Sequence, residues 1–222
     1  MFSATEISPI SGLPYRAELV SGLFQAAMLL LCIGGVAVLV TFSGVFGSAW
    51  HVVSFSIYGA SLILLYGFSA LYHTARHPGR KHIYKVLDHS GIFIAIAGTY
   101  TPLTLVTLNG GWGWSLFGVV WALALTGIVW KAFFVDRYPV GFIAIYLAMG
   151  WIGLIAAVPL LDALPAGGLA WLGIGGLVYT LGTLFFVWES LPYHHVLWHL
   201  FVLGGVTCHT FSVLFYVLPQ SA

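Results

Sequence analysis

Residues 194–209 read HHVLWHLFVLGGVTCH, four imidazoles in a stretch that is otherwise apolar. His195 and His199 are four apart, so a helix stacks them on one face. The run continues to residue 218, and about 20 apolar residues are what a helix needs to cross a bilayer core. The rest of the chain repeats this pattern. Of its 222 residues, 60% are hydrophobic and 6% charged, whereas soluble domains carry about 25% charged residues. Apolar runs at 18–42, 49–73, 88–108, 113–133, 139–161, 167–189 and 194–218 make seven candidate spans. The connections FSGVFGS, LNGGWGW, DRYPVG, LDALPAGG and ESLPYH carry turn chemistry. The sequence therefore reads as an all-α membrane protein, a single seven-helix transmembrane domain over residues 1–222 with a short N-terminal segment, 1–17.

The basic residues orient it. Arg16 precedes helix 1, Arg76, Arg80, Lys81 and Lys85 lie between helices 2 and 3, and Lys131 and Arg137 lie between helices 4 and 5. The alternate connections have no Lys or Arg. The positive-inside rule then puts the N-terminus in the cytoplasm and the C-terminus outside, as expected of a multi-pass protein of the cytoplasmic membrane. A reporter fused after Ala222 is expected to read as external and one after Arg80 as cytoplasmic; the reverse pattern would invert the assignment. The net charge of +1 says nothing about nucleic acid, but no basic run offers a phosphate-binding stripe, so no nucleic-acid partner is expected. Cys32 and Cys208 both sit in apolar runs, which excludes a disulfide framework. The polar opening MFSATEISPISGLPYRAE has no cleavable h-region, so the first apolar run reads as a span and not a signal peptide.

Ionisable residues inside spans are costly and mark sites. Glu18 opens helix 1, Ser69 and His73 close helix 2, Asp88 and His89 open helix 3, Glu189 closes helix 6, and His194, His195 and His199 open helix 7. With seven alternating spans, all of these fall at the cytoplasmic end. Three imidazoles with an open fourth position are the ligand set of a catalytic zinc site, so His73, His195 and His199 are the expected ligands of a Zn2+ cofactor. No carboxylate lies between the histidine pair. Asp88, at ligand depth, is the candidate base, and Ser69, one turn from His73, can position a water or a substrate carbonyl.

The remaining histidines read differently. His194 is a helix-start residue, and His77 and His82 belong to the basic loop. His89 is rotated about 100° from Asp88, so at most one of the two points squarely at the site. His209 lies about 40° off the His195 face and about 20 Å deeper, as a polar group hydrogen-bonded inside the bundle. His51 and Asp162 lie toward the outer side. The glycine clusters read as turns and close helix contacts, because no Lys-Ser/Thr follows them.

The ordered combination of Ser69-Ala-Leu-Tyr-His73, LDHSGIFIAIAGTYTPLTLV from Leu87, YLAMGW from Tyr146 and the closing H-x-x-x-H resembles the hemolysin III family. That family is the bacterial branch of the progestin and adipoQ receptors and is related to the alkaline ceramidases. The resemblance implies seven transmembrane helices and a cytoplasmic-side zinc on His73, His195 and His199, with Asp88 and Ser69 around its water. It also implies a hydrolase of membrane lipid amides with effects on membrane homeostasis. Bacterial relatives usually follow the first-helix glutamate with Asn and then Thr-His. This chain keeps Glu18 but has Ser21, Phe24 and Gln25, which puts a second polar site there in doubt. Two functions follow: a zinc-dependent lipid amidase, or a non-enzymatic sensor of membrane state with structural zinc. Nothing reads as a soluble, insertable pore-forming toxin.

Overall fold

The computed structural model describes residues 6–137 and 139–220. Seven helices are long and apolar enough to cross a membrane: α1 (Tyr15–Phe46), α2 (Ala49–Thr74), α3 (Pro78–Leu108), α4 (Gly110–Phe134), α5 (Gly141–Ala163), α6 (Ala166–Val187) and α7 (His194–Val217). Their outward faces carry Leu, Val, Ile and Phe in the open, as lipid-facing surfaces do. Most boundaries fall within a few residues of the expected ones. The exception is α3, which starts ten residues before the expected 88. Residues 78–87 hold Arg80, Lys81, His82 and Lys85, which end an apolar count, yet Lys and Arg are good helix formers and Pro78 sits in the first turn, where its missing N–H costs nothing. Of the N-terminal segment, residues 1–5 lie outside the described residues, as does Tyr138 in the DRYPVG turn. Residues 6–14 fold back on themselves through an Ile7–Pro14 bridge, and the Ile10 carbonyl accepts from Lys85 Nζ at 3.0 Å.

Helices α1, α2 and α3 pack in sequence, α6 pairs with α7, and α7 returns against α1. One apolar core joins α2 to α3 and α7 around Phe55, Tyr58, Tyr66, Val206 and Val213. A second joins α3, α4 and α5 around Phe93, Val120, Phe142 and Met149. Between these two cores α5 is irregular. Pro159 has no N–H to give the preceding turn, and residues Ile152–Ala156 tighten to a 3-10 helix. Tyr100 of α3 staples the break: its hydroxyl donates to the Gly150 carbonyl at 2.5 Å and accepts from Gly153 N–H at 3.0 Å. Beside this break lies a cavity of about 440 Å³ walled mainly by α3, α5, α6 and α7, with Gln25 of α1 and Leu65 and Ser69 of α2 at one end.

Candidate metal centre

Glycine sets the approach of α1 to the site. A Cβ on Gly22 would sit 2.7 Å from Thr74 Cγ2 and 3.4 Å from the His73 carbonyl carbon, so only glycine lets α1 lie this close to the end of α2. Glu18 and Gln25, a turn to either side of Gly22, thereby reach the histidines. Both are buried, at 1% and 3% exposure. At the far end of the site Tyr193 takes a left-handed backbone conformation (φ 58°) that turns the chain into α7 and presents His195 and His199 inward.

The three expected ligands converge. His73, His195 and His199 each offer a nitrogen, and these atoms lie within 4.8 Å of one another. The Nε2 atoms of His73 and His199 are 3.1 Å apart. Two nitrogens each about 2.0–2.1 Å from a tetrahedral zinc would lie about 3.3 Å from each other, close to that separation. His195 Nε2 is buried with no partner. His73 Nδ1 faces Glu18 Oε2 at 3.3 Å, which orients the ring and leaves its Nε2 lone pair toward the cluster.

Gln25 completes this outer layer. Its Nε2 donates to Ser69 Oγ at 2.7 Å and lies 3.0 Å from His199 Nδ1, while Oε1 is buried without a partner. In that arrangement a proton on His199 Nε2 bridges to His73, giving a continuous relay from Gln25 through both rings to Glu18. A half-turn of the carboxamide puts Oε1 at both contacts, accepting from the Nδ1–H of His199 and from the Ser69 hydroxyl. His199 Nε2 then keeps a free lone pair. Two lone pairs facing each other at this distance require a cation between them, so the donor set fits a metal ion.

Asp88 and Ser69 line the inner cavity beside the histidines, and the Asp88 carboxylate faces Ser69 and the field of His73, Glu18 and Lys81. Lys81 is the residue the sequence reading misplaced, as a loop residue. It is 2% exposed and spends its three protons on Glu18 Oε2 at 2.6 Å, the Tyr72 carbonyl at 2.9 Å and the Ala75 carbonyl at 3.4 Å. Gln25, whose contribution sequence reasoning doubted, stands in the centre. The signal for it is the spacing of Glu18, Ser21, Gly22 and Gln25, one face of a helix inside an otherwise apolar span.

The other histidines stay apart from this group. His194 opens α7 and its Nδ1 contacts the Phe185 carbonyl at 3.1 Å. His209 Nε2 donates to the Leu172 carbonyl at 3.2 Å, the hydrogen-bonded role expected of it. His77 is exposed, and His82, also exposed, pairs with Asp136 at 3.7 Å. His89 lines the cavity beside Asp88, but is not within the ligand group. His51 is remote from the site yet fully buried. It accepts from Ser48 N–H at 3.0 Å, capping α2, and its other nitrogen donates to the Val217 carbonyl at 3.3 Å.

Fold and site together define a multi-pass membrane protein, seated in bacteria in the cytoplasmic membrane, with a three-histidine cluster, His73 and His199 buried and His195 partly so, that can hold a metal ion. The chain belongs to the haemolysin-III family, whose profile, described as "Haemolysin-III related", matches residues 14–210. It is 42% identical to Hemolysin-3 of Bacillus cereus, over 93% of this chain and 94% of that one. Identity to the Hemolysin-3 homolog of Bacillus subtilis (strain 168) is 44%, over 90% and 94%. The human Monocyte to macrophage differentiation factor is 26% identical over 76% of this chain and 72% of its own. No solved structure matches the chain.

Proposed function

We propose that the protein is a zinc-dependent hydrolase of a membrane lipid amide, contributing to membrane homeostasis. One observation carries this reading. Among the described residues the ligand group has three imidazoles and no fourth member, and it stands at the polar end of a largely apolar cavity of about 440 Å³. A structural zinc takes four protein ligands, whereas a catalytic one takes three and keeps a position open. Cavities of this size and character suit an apolar ligand with one polar group to be fixed.

Bound zinc would supply Lewis acidity and water activation at neutral pH. The side chains do the rest. Asp88 accepts a proton from the attacking water at its carboxylate and returns it to the leaving amine nitrogen. Ser69, tied to Gln25, offers its oxygen to orient that water or the substrate carbonyl. The leucines and glycines of α5 and α6 take the acyl chain and exclude bulk water from the amide.

Asp88→Asn tests this. It preserves size and removes the base, so release of free fatty acid from an N-acyl lipid is expected to fall about 100-fold or more. Bound metal should be largely retained, since losing an outer-shell partner costs roughly 10- to 100-fold in affinity. Zinc content and hydrolysis are measured side by side. Loss of metal together with the fold would make Asp88 structural. A metal-loaded parent inactive on every lipid amide tried would favour the alternative, a non-enzymatic sensor of membrane state.

A further inference from the structure

A second cavity of about 870 Å³ opens at the end of the bundle that carries the basic residues. It shares His89, Ile92, Tyr146, Phe186, His195 and Trp198 with the inner cavity, so the two adjoin beside the histidines and these side chains line the path from one to the other. Lys131, in the last turn of α4, is part of its wall and is 2% exposed, as buried as Lys81. The two ammonium groups are provided for very differently. Lys81 has a carboxylate and two carbonyls. Lys131 has the Val135 carbonyl at 3.4 Å and the face of the Phe142 ring, its centroid 3.8 Å away. An ammonium has three protons to give, and this one has a single long acceptor.

None of the three nearby carboxylates, Asp136, Asp88 and Glu189, serves it. Among the described residues none lies within 4.0 Å of Lys131 Nζ. Asp136 is taken by Lys85 at 2.7 Å and His82 at 3.7 Å. The Lys85 ammonium holds the Asp136 carboxyl below the usual carboxylate range. Asp88 acts on Lys131 only through space, from the histidine end of the path. A desolvated charge without a counter-ion is costly, and here it faces a cavity with room for one. Arg16 and Lys85 line the same space together with two carboxylates, Asp136, which Lys85 already pairs, and Glu189; with Lys131 the cations outnumber the acids three to two, so the field favours an anion.

We propose that the cavity around Lys131 is a binding subsite for the anionic head of an amphiphile, a phosphate or a carboxylate, whose chain continues past the histidines into the inner cavity. As a substrate subsite it rests on the hydrolase reading and narrows the substrate to an N-acyl lipid with a negatively charged polar end. As a binding site it stands without that reading.

The test uses purified full-length protein in neutral detergent, with amphiphiles that contain no amide, so hydrolysis plays no part. Dioctanoyl phosphatidic acid supplies the phosphate and decanoate the carboxylate; dioctanoyl phosphatidylcholine is the zwitterionic control. Dissociation constants are read from tryptophan fluorescence, since Trp198 lines the path. At least one anionic probe is expected to bind about tenfold or more tightly than the control, the worth of a charge-assisted hydrogen bond. Which of the two does so separates a phosphate headgroup from a fatty carboxylate. Lys131→Gln should abolish the preference, and Lys131→Arg should keep it. Arg137→Gln, the same charge change at an exposed residue of the same end, should also keep it. Equal affinity of the parent for all three probes would overturn the proposal without recourse to any variant, and so would a preference that survives in Lys131→Gln.

Discussion

Alanine at His199 is expected to leave the protein without bound metal, and alanine at His73 or His195 to do nearly the same. Each substitution removes one of three nitrogens, and no other histidine is placed to take over: His209 is committed to Leu172 and His89 stands outside the group. The measurement is zinc per polypeptide after dialysis, with His77→Ala as an exposed control that keeps its metal. Gln25→Leu should give an intermediate result. It removes the group that holds His199 and Ser69 but no ligand, so affinity should fall by about 10- to 100-fold. Stoichiometric zinc in the His195→Ala, His199→Ala double variant would sink the ligand assignment.

Lys81→Met is expected to produce the largest loss of stability among single substitutions at the site. The methionine keeps most of the buried stem but leaves Glu18 charged and 1% exposed, with an imidazole and the Ser11 hydroxyl beside it but no cationic partner of fixed charge. Removing one partner of a buried pair costs about 3–5 kcal/mol, because the remaining charge is uncompensated. Glu18→Gln combined with Lys81→Met removes both charges and should recover much of that loss, so the coupling energy of the double-mutant cycle is the quantity to read. Thermal unfolding in detergent provides it. Simple additivity of the two single effects would show that the pair does not act as a unit.

These two sets of residues differ in how far the sequence reveals them. The histidines are legible because polar groups stand out against apolar spans, and alternating topology puts His73 and His195 at one depth although 122 positions separate them. The seven helices are legible for the same reason. The start of α3 is not, because hydropathy counting stops at charge, whereas Lys81 remains helical and turns its ammonium inward toward Glu18. That pairing depends on how closely α1 approaches α2, set by the absent side chain of Gly22. Gln25 is hidden for another reason: its place on the polar face of α1 can be read from the sequence, but its role appears only once Ser69 and His199 are seen on either side of it. The 3-10 turn in α5 is foreshadowed by Pro159, but its staple by Tyr100 is a contact between helices that no local pattern contains.

The Glu18–Lys81 contact also bears on how the protein is made. Helices enter the membrane in order of synthesis, and the two residues are 63 positions apart. When α1 first partitions, Glu18 has no counter-charge and must stay at the water-facing end, since a charge at the helix centre costs about 2.5–3.5 kcal/mol on insertion scales. Only after α2 has crossed and α3 begins to return can Lys81 meet it. The Glu18–Lys81 pair therefore closes within the first three helices, and the wall carrying His73 is in place before the histidines of α7 have been translated. A metal ion held by the three histidines can thus be captured only after the final helix is in place.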